Sequence, residues 1–111
     1  MMVASELASA VANDIPIVVV VPHNGIYGNM LRKQHTHFQD RFIGTRLYMP
    51  NLAEVARAFG AHGERVEKPA DLVPAYRRAL ASKKPAVVDV VIGNDWDELE
   101  APTKLRVADR Y

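Results

Sequence analysis

The chain has 111 residues and a formal net charge of +1, from 14 Lys and Arg against 13 Asp and Glu, which suits one small domain with one core and excludes a multidomain enzyme within this length. So balanced a charge offers no single-sign field, and neither nucleic acid nor a membrane surface is expected as a partner. With 49% hydrophobic residues and no cysteine, the chain should fold without disulfides, thiolate nucleophiles or Cys-ligated metals, and a cytoplasmic setting is expected.

Val3, Leu7, Ala10 and Val11 form the apolar stripe of a helix over residues 1–13, ended by Asn13 and Asp14. Ala8-Ser9-Ala10 lacks the basic and apolar regions of a signal peptide, so none is expected. Residues 15–21 are apolar, with five β-branched residues in succession from Ile17 to Val21, the pattern of a strand buried on both faces of a parallel sheet. This run includes Pro16 and is far shorter than the roughly 20 residues of a membrane helix. A turn over 22–28 leads to a weak helix at 29–34 and an irregular stretch to 50. Asn51 and Glu54 suggest a capped helix start, Leu52, Val55, Ala56 and Phe59 its helical stripe, and Gly60 its stop. A short strand is expected at 61–67. A helix follows over 71–82, with Asp71 as N-cap and Pro74 third in the helix, where a missing N–H costs nothing. A buried strand over 86–92 precedes a polar tail over 94–111.

This order is that of an α/β fold, a parallel sheet with flanking helices. Open parallel sheets bind ligands beyond the C-terminal ends of their strands. The loop Pro22-His23-Asn24-Gly25-Ile26-Tyr27-Gly28 stands at such an end. Asn24 offers an amide oxygen suited to a hard cation, and Gly25 and Gly28 let backbone approach a ligand; a plain turn is the competing reading. The chain opens on a helix where this class opens on a strand, so it reads as the later part of a larger domain.

At these residues the sequence resembles the C-terminal cofactor-binding domain of thiamine diphosphate-dependent enzymes, the superfamily of acetolactate synthase, benzoylformate decarboxylase and oxalyl-CoA decarboxylase. In that family a Gly-Asp-Gly sequence precedes, by one helix and one strand, an Asn-Asn pair at the strand's end. The helix at Glu6 to Ala10, the strand at 15–21 and His23-Asn24-Gly25-Ile26-Tyr27-Gly28 look like the second half of this motif. Ile43-Gly44-Thr45, Ala56-Arg57-Ala58-Phe59-Gly60-Ala61 and Lys84-Pro85-Ala86 are softer matches.

The resemblance implies a Rossmann-like thiamine diphosphate-binding domain, partial over residues 1–93. It assigns Asn24 as side-chain ligand of Mg²⁺ and the Ile26 carbonyl as a second ligand. Gly25, Tyr27 and Gly28 complete the cofactor loop, Gly28 opening a helix whose N-terminus favours the diphosphate. Asn29, Met30, Arg32 and Lys33 fall where substrate-facing residues vary. His23 replaces the first Asn of the pair. Gly-Asp-Gly would fall before Met1, so the chain is expected to be a fragment, inactive alone and without catalytic residues of its own. The implied whole is a decarboxylase or carboligase, a lyase or transferase acting on 2-oxo acids. Its partners would be the remaining enzyme, including the pyrimidine-binding domain, or a second subunit of a homo-oligomer. The alternative is a non-catalytic remnant or assembly module that keeps the fold without the cofactor.

The remaining candidates read as structural. His35 and His37 lack a third metal ligand at useful spacing and suit a solvated loop, and His62 suits a hydrogen-bonded structural role. Ser5, Ser9 and Ser82 lack a nucleophile elbow. Asp95, Asp97, Glu98 and Glu100 around Trp96 lack the pattern of a calcium loop, and Arg77, Arg78, Lys83 and Lys84 complement a helix C-terminus.

Overall fold

The computed structural model describes residues 4–93; Val3, the tail and the acidic cluster around Trp96 lie outside them. The elements in chain order are α1 (Glu6–Ala12), β1 (Val18–His23), α2 (Gly28–Phe38), α3 (Leu52–Ala58), β2 (His62–Val66), α4 (Pro69–Ala81) and β3 (Ala86–Val91). They fall into two compact units, one holding the chain up to Asn24 and again Tyr48–Ile92, the other holding Gly25–Leu47.

The first unit is built on a parallel sheet of order β1-β3-β2. Strand alternation sends Ala86, Val88 and Val90 of β3 to one face. There they pack with Val18, Val66, Ala75 and Ala79, which places α4 on that face. Val87 points the other way and packs with Val21, Leu52, Ala56 and Ala61, joined by Leu7 and Val11, so α1 and α3 cover the second face. The sheet thus divides what the composition suggested as one core into two.

The strand expected over 15–21 is displaced and is not buried on both faces. It runs from Val18 to His23, and Ile15, Ile17, Val19 and Val20 are each more than 40% exposed. A β-branched run reports strand propensity, whereas burial depends on neighbours, and within this sheet β1 has one. β3, with a strand on each side, is buried from Ala86 to Asp89.

The helix starting at Leu52 has the expected cap: the Asn51 side-chain oxygen accepts from the backbone N–H groups of Ala53 and Glu54 at 3.1 and 3.2 Å. Its end is a Schellman turn, with Ala61 N–H bonded to Ala56 O and Gly60 N–H to Arg57 O. Gly60 takes φ +85°, which a side chain would strain. Asn51→Ala is expected to cost about 1 kcal/mol, read as a lower urea midpoint at unchanged slope.

α4 departs from the expected start. It begins at Pro69 with Lys68 as N-cap, because proline at the first helical position has its φ already set. Asp71 therefore lies in the first turn, and Pro74 is the sixth helical residue. There it removes an N–H that a helix interior would bond to a carbonyl one turn back.

In the second unit, α2 runs on to Phe38, longer than the 29–34 expected, and ends where Gln39 and Asp40 take φ of 53° and 60°. His35 and His37 lie in its last turn and not in a loop. Helix propensity there is ordinary, and the Gln34 amide helps hold the segment: it donates to Ile43 O and accepts from Ile43 N–H, at 3.0 and 2.9 Å.

Candidate functional site

β1 delivers its last residue, His23, to the C-terminal end of the sheet, and Asn24 follows directly. His23 is tied down twice. Its carbonyl accepts from Ile92 N–H at 2.9 Å, and its ring Nε2 is 2.7 Å from Asp89 Oδ1. Asp89 is fully buried. Its other oxygen, Oδ2, accepts from Leu52 N–H at 3.1 Å and from Arg65 Nη1 at 2.9 Å. One carboxylate thus joins the end of β1, the first residue of α3 and a register partner on β2. Glu67 first, and then Asp89, hold the Arg65 guanidinium further into its charged range. A buried carboxylate persists when it is paired and its oxygens are bonded, and Asp89 meets both conditions.

Gly25, Ile26 and Tyr27 belong to the second unit, where Thr45 to Leu47 runs antiparallel beside them. Leu47 N–H donates to Gly25 O at 2.7 Å, and Tyr27 N–H donates to Thr45 O at 2.8 Å. These two bonds flank the Ile26 and Arg46 bridge, so the Ile26 carbonyl points to the side opposite this segment. Thr45 is buried. Gly25 takes φ +69° and Gly44 +65°, conformations that favour glycine on both sides of the pairing. Gly28 opens α2, as expected, and Tyr27 is the N-cap. That N-terminus has no side-chain cap and no acidic residue in its first turn, so no carboxylate of that turn opposes an anion.

The donor set suits a hard cation beside a diphosphate. Mg²⁺ keeps oxygen ligands, several from substrate phosphates and water, and needs few from protein. An amide oxygen at Asn24 and a carbonyl at Ile26 are of that type. Among the described residues, no group of three or more His, Asp or Glu side chains is placed to hold a metal.

The other singled-out residues occupy structural positions. His62 opens β2 with Nε2 3.0 Å from Glu64 Oε1. Arg78 clasps Glu64 through two nitrogens at 3.0 and 2.9 Å, and these bonds hold the Glu64 carboxyl below the usual carboxylate range, burial opposing them. Ser82 Oγ donates to Ala79 O at the end of α4. Among the described residues no helix is long and apolar enough to cross a membrane.

Two features have no counterpart in the sequence reading: the pairing of Thr45 to Leu47 with Gly25 to Tyr27, where only Thr45 stood in a soft family match, and the Asp89 hub. A lone carboxylate inside Ala86-Val87-Val88-Asp89-Val90-Val91 was the available signal for the hub, since such a charge requires partners.

Residues 1–90 match the family described as thiamine pyrophosphate enzyme, C-terminal TPP binding domain. A sulfoacetaldehyde acetyltransferase of Castellaniella defragrans is 31% identical over 91% of this chain and 19% of its own length. An acetolactate synthase large subunit of Mycobacterium tuberculosis is 36% identical over 78% of this chain and 16% of its own. The crystal structure of benzoylformate decarboxylase from Polynucleobacter necessarius superposes with a TM-score of 0.71 at 24% identity, over 83% of this chain and 17% of that one. The chain therefore spans less than a fifth of the relatives it matches.

Proposed function

The chain belongs to the thiamine pyrophosphate enzymes, through their C-terminal cofactor-binding domain, and from that membership we propose that the loop Asn24 to Gly28 binds the diphosphate end of thiamine diphosphate through Mg²⁺. Asn24 supplies its side-chain oxygen and Ile26 its carbonyl. Gly25 provides the bend between these two ligands. Gly28, with Tyr27 before it, presents the start of α2 to the diphosphate. The observation that carries this reading is an amide side chain directly after a parallel strand, followed by a glycine at positive φ and an uncapped helix start without an acidic first turn.

When bound, thiamine diphosphate supplies the electron sink on which a 2-oxo acid loses carbon dioxide. Asn24 and Ile26 bind and orient and transfer no proton. The intact protein is, on this reading, a cytoplasmic acetolactate synthase-like decarboxylase or carboligase. Its remaining ligands and its pyrimidine-binding domain come from further polypeptide or from a second subunit of a homo-oligomer, consistent with the greater length of the relatives.

The test is calorimetric titration of the chain with thiamine diphosphate, with and without Mg²⁺. Binding that requires Mg²⁺ is expected, weakened about tenfold or more in Asn24→Ala, the scale on which even outer partners of a metal affect its affinity. Binding that is absent, or indifferent to both metal and substitution, overturns the assignment for this chain.

A further inference from the structure

Among the described residues, one buried side-chain polar atom has no hydrogen-bond partner, and it is Nδ1 of His23. The opposite ring nitrogen is fully engaged with Asp89. An ionised carboxylate only accepts. Asp89 already takes Leu52 N–H and the Arg65 guanidinium on Oδ2, so Oδ1 accepts from Nε2–H, and in the neutral ring the remaining nitrogen carries a lone pair.

We propose that His23 is a positioning residue for the loop it introduces, held by Asp89 as the Nε2–H tautomer so that Nδ1 is a buried acceptor for one N–H or O–H donor from outside the described residues. The ring is fixed by Asp89 and the main chain by Ile92 N–H, so the direction in which the chain leaves β1 toward Asn24 is set on both sides of the residue. A desolvated lone pair without a donor is unfavourable, and filling it adds a third restraint at the same point. The tautomer and the restraint do not depend on the cofactor reading. Only the source of the donor does, being either a metal-bound water arriving with the cofactor or an N–H or O–H of further polypeptide.

The experiment is a long-range ¹H–¹⁵N correlation spectrum of the full 111-residue chain labelled at histidine, at one neutral pH, with His23 assigned by its loss in His23→Gln. The expected spectrum shows His23 with Nε2 protonated and Nδ1 bare. An Nδ1–H tautomer, a doubly protonated ring, or averaging between tautomers overturns the proposal.

The same sample with Mg²⁺ and thiamine diphosphate locates the donor. A displaced Nδ1 resonance assigns it to the ligand, and an unmoved one, with binding seen by calorimetry, assigns it to polypeptide. If nothing binds, the cofactor reading fails for this chain while the tautomer still decides the present proposal. Positioning is read at the backbone amide resonances of Asn24 and Gly25. His23→Gln keeps an N–H donor for Asp89 and is expected to leave them near wild type, whereas His23→Phe, without one, displaces them. Equal displacement in both variants, or in neither, overturns the positioning role.

Discussion

Gly63→Ala is expected to lower the stability of the chain by about 3 kcal/mol or more, at or beyond the upper end for overpacked cores. A Cβ built on Gly63 would lie 2.1 Å from the carbonyl oxygen of Ala53 and 2.8 Å from its carbonyl carbon. Both are backbone atoms of α3, so no side chain can turn aside. Relief requires the whole helix to move off β2, and α3 is tied at several points. Leu52 N–H is bonded to Asp89, Arg57 donates to Gly63 O at 2.9 Å, and Leu52 and Ala56 are packed in the core. Urea unfolding followed by circular dichroism measures the effect. A loss under about 1 kcal/mol, within the range of many tolerated core changes, would show that α3 slides freely on the sheet.

Asp89→Ala is expected to cost about 3–5 kcal/mol, as when one partner of a buried ion pair is removed. The loss falls unequally on the three groups that Asp89 holds. Arg65 has a side chain 32% exposed and can turn to water, so it contributes the smaller share. Leu52 N–H and His23 Nε2 are left in the interior without acceptors, each at a cost of about 1–3 kcal/mol. Asp89→Asn keeps the shape and one acceptor oxygen and should lose less. Folded domains are stable by only about 5–15 kcal/mol in all, so the alanine variant should be largely unfolded at moderate urea where the parent is native. Equal urea midpoints for Asp89→Ala and Asp89→Asn would refute this division of the cost.

Local signals carried the reading of the sequence furthest. Asn51, the stripe of Leu52 and Ala56, and Gly60 define α3 within one stretch of chain, and each acts there as its chemistry dictates. The parallel α/β class followed from alternation, and the family from the loop at Asn24. Where the outcome depended on distant neighbours, the sequence was mute or misleading. Val19 and Val20 have the residue type of a buried strand and the exposure of an edge. Pro69, not Asp71, starts α4; with two prolines in range, sequence spacing alone favoured the wrong one. Gly63 stands in no turn and takes no positive φ. Its requirement comes from a helix backbone pressed against it, for which a single sequence carries no mark. Asp89 is a lone charge in an apolar run, a signal the reading passed over, and its three partners lie 24, 37 and 66 residues away.

The Asp89 hub also settles how β2 aligns with β3. A hairpin fixes the stagger of its strands by the length of its turn, but these strands are parallel and joined through α4, a connection too long to count residues. A slide of β2 by one position would turn Arg65 to the opposite face and bring Glu64 or Val66 across from Asp89 in place of Arg65. The buried Asp89 carboxylate would then face a second carboxylate or an isopropyl group, neither of which can pair with it, and Gly63 would leave the slot against α3. The stagger that survives is the one in which a cation and a glycine both find their places. A single charge therefore does for this crossover what turn geometry does for a hairpin, and β1 inherits the same alignment through His23.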